Sequence, residues 1–127
     1  MSYVGPVLQW ELYDVDLDPS VGSEQGGPSR PVLIVSNDGF NKPFDVVTVL
    51  PLTKAAGKKR KVYAFEVILP SGRAGNPLDS IVMPQQIRTI SKKRLLTRVG
   101  ILADVTVRRE IEDRLLDHLG ISLDSGE

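Results

Sequence analysis

The chain has 127 residues, 41% of them hydrophobic and 25% charged, with 16 Lys and Arg balanced by 16 Asp and Glu and no cysteine. That length suits a single domain, and the composition excludes a disordered chain, a collagen-like repeat and a globally basic nucleic-acid binder. Without cysteine there are no disulfides, thiolate zinc sites or cysteine nucleophiles.

Residues 1–11 lack a basic start and a small-residue cleavage pattern, so they read as mature sequence, with 1–8 an N-terminal extension to a single domain over 9–121. The apolar stretches are too short to cross a bilayer, and a cytoplasmic protein that engages no membrane is expected. Residues 9–17 alternate with Trp10 and Leu12 on one parity and Tyr13, Val15 and Leu17 on the other, a period-2 strand whose phase slips once, as at a bulge. Asp18-Pro19 and the run Gly22 to Ser29 then make a long loop of turn-forming residues, and loops of such length are usually functional. Residues 31–36 predict a buried strand, Asn37-Asp38-Gly39 a turn, and residues 45–53 another strand. Over 62–69, Tyr63, Phe65, Val67 and Leu69 share one face of a strand that the loop 54–61 joins to its predecessor as a hairpin. Residues 79–83 and 86–90 predict two short strands broken by Pro84.

A helix starts after Asp104, a good N-cap, and sets Val107, Ile111, Leu115 and Leu119 at helical spacing before Gly120 stops it. Glu110 and Arg114 stand four apart on its outer face, an orientation that favours an ion pair. Residues 122–127 read as a tail. The fold class is therefore mainly β (α+β), a small barrel or curled sheet with one C-terminal helix.

Charge is laid out in blocks: residues 1–27 hold five acids and no base, and residues 54–61 hold five bases and no acid. A second basic block comprises Arg88, Lys92, Lys93, Arg94 and Arg98, and two such blocks on one face would form a cationic groove for an anionic polymer. His118 is the only histidine and stands on the helix without a Cys partner, which argues against a zinc site and a His-based triad. No glycine-rich phosphate loop is present, so nucleotide-phosphate binding has no signature, and no cofactor is expected.

Several ordered strings carry a resemblance. Asp16-Leu17-Asp18-Pro19, Gly22-Ser23-Glu24-Gln25-Gly26-Gly27 and Arg30-Pro31-Val32-Leu33-Ile34, followed by Pro51-Leu52-Thr53, Gln86-Ile87-Arg88-Thr89-Ile90 and Lys93-Arg94-Leu95, resemble the MazF/PemK toxins, endoribonucleases of bacterial toxin–antitoxin pairs. The resemblance spans about residues 9–121 and implies a curled barrel of the Src-homology-3-like, CcdB-MazF kind. It further implies a homodimer that cuts single-stranded mRNA without a metal, leaving 2′,3′-cyclic phosphate and 5′-OH ends, and a cognate MazE-like antitoxin whose acidic segment occupies the same groove. The family's catalytic pair falls on Arg30 and Thr53. Its RNA contacts fall on Ser23, Glu24 and Gln25 of the loop and on Gln85, Gln86 and Arg88, with Gln86 and Arg88 two apart on one face of a strand. The chemistry is coherent, because 2′-OH attack builds a phosphorane whose extra negative charge a planar guanidinium can meet. The general base is not assigned.

Three departures from the family pattern stand out: Pro28-Ser29 where a single residue is frequent, Trp10 where many relatives have Gly, and Gln85 where an acid is frequent. Other readings of the same fold are a non-catalytic toxin, such as a CcdB-like topoisomerase binder, or a plain RNA-binding barrel that grips without cutting.

Overall fold

A computed structural model describes residues 2–55 and 61–123. Within them lie seven strands, β1 (Glu11–Val15), β2 (Arg30–Ile34), β3 (Val46–Lys54), β4 (Val67–Leu69), β5 (Ser80–Val82), β6 (Arg88–Ser91) and β7 (Leu95–Ile101). A single helical turn, α1 (Asp38–Asn41), and the long α2 (Val105–Leu119) complete the set. Every pairing is antiparallel, in the order β4-β5-β3-β2-β1-β7, with β6 also on β3. The nine-residue β3 is the spine: Val46 to Val49 pair with β6, Val49 to Pro51 with β2, and Leu52 to Lys54 with β5.

Because β1, β2 and β3 are covered on both faces, each parity feeds a different core. Leu12, Leu33, Leu50 and Leu52 meet Val107 and Ile111 of α2 in one. Tyr13, Val15, Val32, Ile34, Val47, Val49 and Ile90 make the other. The apparent phase slip in residues 9–17 is this double burial. The register irregularities lie between β1 and β7, where Val99 and Leu96 are the extra residues, so the bulges belong to β7.

Strand β7 leaves no clear signal in the sequence. Only Leu95 of it is buried, and its basic residues mask the alternation of Leu95, Thr97, Val99 and Ile101. Strand 62–69 shrinks to β4, because Glu66 folds the preceding segment into a turn: its N–H bonds to the Tyr63 carbonyl (2.9 Å) and its carboxylate accepts from the Tyr63 N–H (3.1 Å). Tyr63 and Phe65 therefore sit 44% and 43% exposed and stack on each other instead of entering the core. Asn37 caps α1 by accepting from the Phe40 N–H, which turns the expected reversal at 37–39 into a helical turn.

The helix is capped as its sequence predicts. Asp104 accepts from the N–H groups of Thr106 and Val107, and Gly120 at φ 68° takes the left-handed position that closes the last turn. The buried stripe is shorter than expected, since Leu119 is exposed. Arg114 bonds the Ala64 carbonyl (2.9 Å) and forms no ion pair with Glu110, a backbone acceptor outcompeting a solvated carboxylate. No described helix is long and apolar enough to cross a membrane.

Trp10 occupies the left-handed region at φ 73°, which costs a side-chain-bearing residue about 1–2 kcal/mol. Burial of the indole in the α2 core offsets that cost, and Arg108 lies 5.3 Å from its centroid. The backbone holds it there, with the Trp10 N–H on the Ile34 carbonyl (2.7 Å) and its own carbonyl accepting from Leu102 (2.8 Å). The extension packs too. Val7 is buried in the second core, and the Tyr3 N–H donates to the Leu95 carbonyl at 2.6 Å.

Beside the extension, the fully buried Tyr13 hydroxyl donates to Glu11 (2.8 Å), whose other oxygen accepts from Arg98 at 2.5 Å. Burial, and then the bond to Glu11, push the Tyr13 phenol well above the usual tyrosine value near 10. Above pH 10 the unfolded chain loses this proton while the folded chain keeps it, so the tyrosine's contribution to stability declines as pH rises. Tyr13→Phe removes that decline. Denaturant titrations from pH 9 to 11 should show a variant slope shallower by up to about 1.4 kcal/mol per pH unit, and parallel slopes would contradict the burial argument.

Candidate active site

The β2–β3 register brings the two expected catalytic residues together. Val32 pairs with Pro51, so two residues on toward the sheet end Arg30 falls opposite Thr53, on the same face. Arg30 Nη1 lies 3.5 Å from Thr53 Oγ1 and 3.4 Å from the Leu52 carbonyl, and Nε donates to the Gly26 carbonyl at 3.1 Å. Among the described residues no carboxylate pairs with this guanidinium. The pair opens into a cleft of about 360 Å³ whose lining includes Ser29, Lys54 and Ser80 and no acid. The site thus presents two uncompensated cations beside hydroxyl groups, a setting for an anionic, hydrogen-bonding ligand.

The long loop is pinned to this cleft. Asp18 accepts from the Gly27 N–H (2.8 Å), and Leu17 donates to the Gly27 carbonyl (2.8 Å). Gly27, at φ 133°, lies under the guanidinium, where a Cβ would stand 3.4 Å from Arg30 Nε. Pro28-Ser29 is taken up as an exposed kink, and Arg30 still folds back onto Gly26.

Gln86 acts as a staple: its Oε1 accepts from the Gln25 N–H and its Nε2 donates to the Ser23 carbonyl, both at 3.1 Å. It lies in a 3-10 turn over Pro84–Gln86 and not on a strand, because Pro84 cannot join a ladder. The expected strand that would carry Gln86 and Arg88 on one face is therefore divided. Arg88 starts β6 on the face shared with Ile90 and Arg30, and its Nη1 is buried without a hydrogen-bond partner. Gln85 points the other way, donating to Glu66 at 2.6 Å. Ser23 and Glu24 expose their side chains at the loop surface, and Gln25 is half-buried.

The expected shared groove of the two basic blocks falls in part on Lys58, Lys59 and Arg60, which lie outside the described residues. In the second block, Lys92 bonds the Asn41 carbonyl, Arg94 the carbonyls of Asp16 and Asp18, and Arg98 the buried Glu11. These cations hold the fold together. No three His, Cys, Asp or Glu side chains among the described residues gather to hold a metal ion.

Comparison with known proteins follows the same lines. The family model of PemK-like, MazF-like toxins of type II toxin–antitoxin systems matches residues 8–119. The chain belongs to that family. This MazF-like toxin is 38% identical over 117 residues to endoribonuclease EndoA of Bacillus subtilis, covering 92% of this chain and 94% of that protein. It is 34% identical over 116 residues to endoribonuclease MazF9 of Mycobacterium tuberculosis, covering 87% and 94%. Among solved structures, MazF from Deinococcus radiodurans superposes with a TM-score of 0.76 at 24% identity over 93% of this chain and all of that one. A mycobacterial endoribonuclease in complex with its cognate antitoxin gives 0.72 at 22% over 95% and 100%. These likenesses establish the curled MazF barrel.

The staple gives a direct check. Gln86→Ala frees the Gln25 N–H, and hydrogen exchange at that amide should accelerate about fivefold or more, the equivalent of one hydrogen bond of about 1 kcal/mol. Exchange in β2 and β3 should be unchanged. Unaltered protection at Gln25 would show that the loop is held by other means.

Proposed function

We propose that this toxin is an endoribonuclease that cuts single-stranded mRNA without a metal ion, Arg30 and Thr53 acting at the scissile phosphate. The observation that carries the reading is the unneutralised Arg30 guanidinium, oriented by the Gly26 and Leu52 carbonyls and facing an open cleft with Thr53 Oγ1 at 3.5 Å.

The ribose 2′-OH attacks the adjacent phosphorus, its proton passes to solvent water, which later returns one to the departing 5′-oxygen, and a phosphorane forms that carries more negative charge than the ground-state diester. Arg30 Nη2, which makes no hydrogen bond to the described residues, meets the equatorial oxygens in a geometry fixed before the reaction. The Thr53 hydroxyl adds a donor, and Lys54 contributes long-range attraction to the backbone. Departure of the 5′-oxygen with a proton leaves a 2′,3′-cyclic phosphate and a 5′-OH.

Ser23, Glu24 and Gln25, in the loop that Gln86 holds, supply contacts to the flanking nucleotides. Arg88, with an unpaired buried N–H on the same sheet face, is a third cation for the substrate. The working form is a homodimer in the cytoplasm, silenced by a cognate MazE-like antitoxin whose acidic segment competes for the same cations.

Substitution separates charge from shape. Arg30→Ala should lower kcat by about 10²–10³, and Arg30→Lys should recover only part, because an ammonium lacks the planar fork. Thermal melting should stay near that of the parent. Near-normal cutting by a folded Arg30→Ala protein would leave a binding toxin as the better reading.

A further inference from the structure

Beyond the Arg30 cleft, the turn that shortens β4 creates a second surface feature. The Tyr63 and Phe65 rings stack nearly parallel, 5.2 Å apart with 7° between planes, although both are more than two-fifths exposed. The Lys61 ammonium sits 5.8 Å from the Tyr63 centroid. Phe65 then lines an open pocket of about 420 Å³ with Gln85, Asp117 and His118.

The pocket's polar groups are unspent. Among the described residues neither the Asp117 carboxylate nor the His118 imidazole has a hydrogen-bond partner. The Gln85 carbonyl oxygen is buried without a donor, its amide nitrogen having gone to Glu66. A ring wall beside a carboxylate, an unfilled acceptor and an imidazole fits a flat heterocycle whose edge is rich in donors.

We propose that Phe65, Asp117 and His118 form a guanine-binding subsite for the RNA, an assignment that rests on the RNA-cleaving reading of the Arg30 cleft. Guanine stacks on the free side of Phe65 and extends the Tyr63–Phe65 pile by one layer. Its N1–H and N2–H donate to the two oxygens of Asp117, and an imidazole N–H of His118 donates to O6. The other bases cannot offer two adjacent donors on that edge. Strand and residue spacing put Phe65 roughly 15 Å from Thr53, so the guanine lies a few nucleotides from the scissile bond. Gln85 and Gln86 are consecutive in the 3-10 turn, the first facing this pocket and the second holding the loop that carries Gly26 to Arg30, so one turn links the two sites.

The test reads binding with cleavage silenced. The Arg30→Ala chain is equilibrated with a randomised single-stranded RNA pool, and the bound fraction is sequenced. The same is done for Arg30→Ala combined with Asp117→Asn or with Phe65→Leu, each checked by thermal melting. The expected result is one guanine enriched at a fixed position, an affinity loss of about tenfold when inosine replaces it, and loss of the enrichment with Asp117→Asn while total RNA binding persists. Phe65→Leu should weaken binding by about tenfold through lost stacking. A pool without guanine enrichment, or enrichment that survives Asp117→Asn, would overturn the subsite. So would a Phe65→Leu effect confined to dimer mass or antitoxin binding, which would make the ring pair a protein contact. The two readings fail differently: Asp117-dependent guanine selection by a chain whose parent cuts no RNA would retire the nuclease, whereas cutting without such selection would retire the subsite.

Discussion

Strand β3 has to satisfy three partners along nine residues, and that constraint organises the molecule. Its first half joins β6, its middle β2 and its end β5, so the sheet must curl around it and leave two cores on opposite faces. The register that packs Val32, Leu33 and Ile34 against Pro51, Leu50 and Val49 is the same one that delivers Arg30 opposite Thr53 two residues later. A one-residue slip would exchange the two faces and separate the pair. The Arg30–Thr53 geometry is here a by-product of core registry, with most of the free energy coming from apolar burial well away from the cleft.

A bare guanidinium at the end of a sheet would wander, and the loop restrains it with backbone atoms only. Asp18 anchors Gly27, Gln86 anchors residues 23–25, and the Gly26 carbonyl takes Arg30 Nε. Carbonyl oxygens orient an arginine without neutralising it, whereas a carboxylate would compete with any anionic ligand for the same fork. Crowding and backbone strain explain why small residues are needed at this point. A side chain at position 26 would begin 2.4 Å from Ser20 Oγ, and one at position 27 would be strained by its backbone at φ 133°. The remaining cations have different roles. Arg94 and Arg98 brace β7 and the loop root, which leaves Arg30 and Lys54 in the cleft.

Much of this was legible in the chain. The Asp104 cap, the Val107 and Ile111 stripe and the Gly120 stop are local chemistry, and local chemistry reads directly. Arg30 and Thr53 were legible only jointly, through ordered strings that resemble a family, since each alone is an ordinary strand-end residue. Hidden features depend on distant partners. β7 is an edge strand whose basic residues disguise its alternation. Double burial of β1 imitates a bulge, and Glu66 makes a turn from a segment that alternates like a strand. The roles of Lys92, Arg94 and Arg98 were hidden for a related reason, because a basic residue's role depends on the carbonyl or carboxylate it meets. Trp10 shows the converse: its indole is at home in a core, and nothing local announces a left-handed backbone.

The central claim is that a fixed guanidinium stabilises an RNA phosphorane raised by the neighbouring 2′-OH. The most direct measurement is cleavage of a mapped RNA site in excess EDTA, beside the same strand carrying a single 2′-deoxy nucleotide 5′ to the scissile phosphate, with end groups identified by mass spectrometry. The account predicts cutting of the all-ribose strand to a 2′,3′-cyclic phosphate and a 5′-OH, and no cut at the deoxy position. Cleavage of the deoxy strand at the same bond, or 5′-phosphate ends, would contradict it.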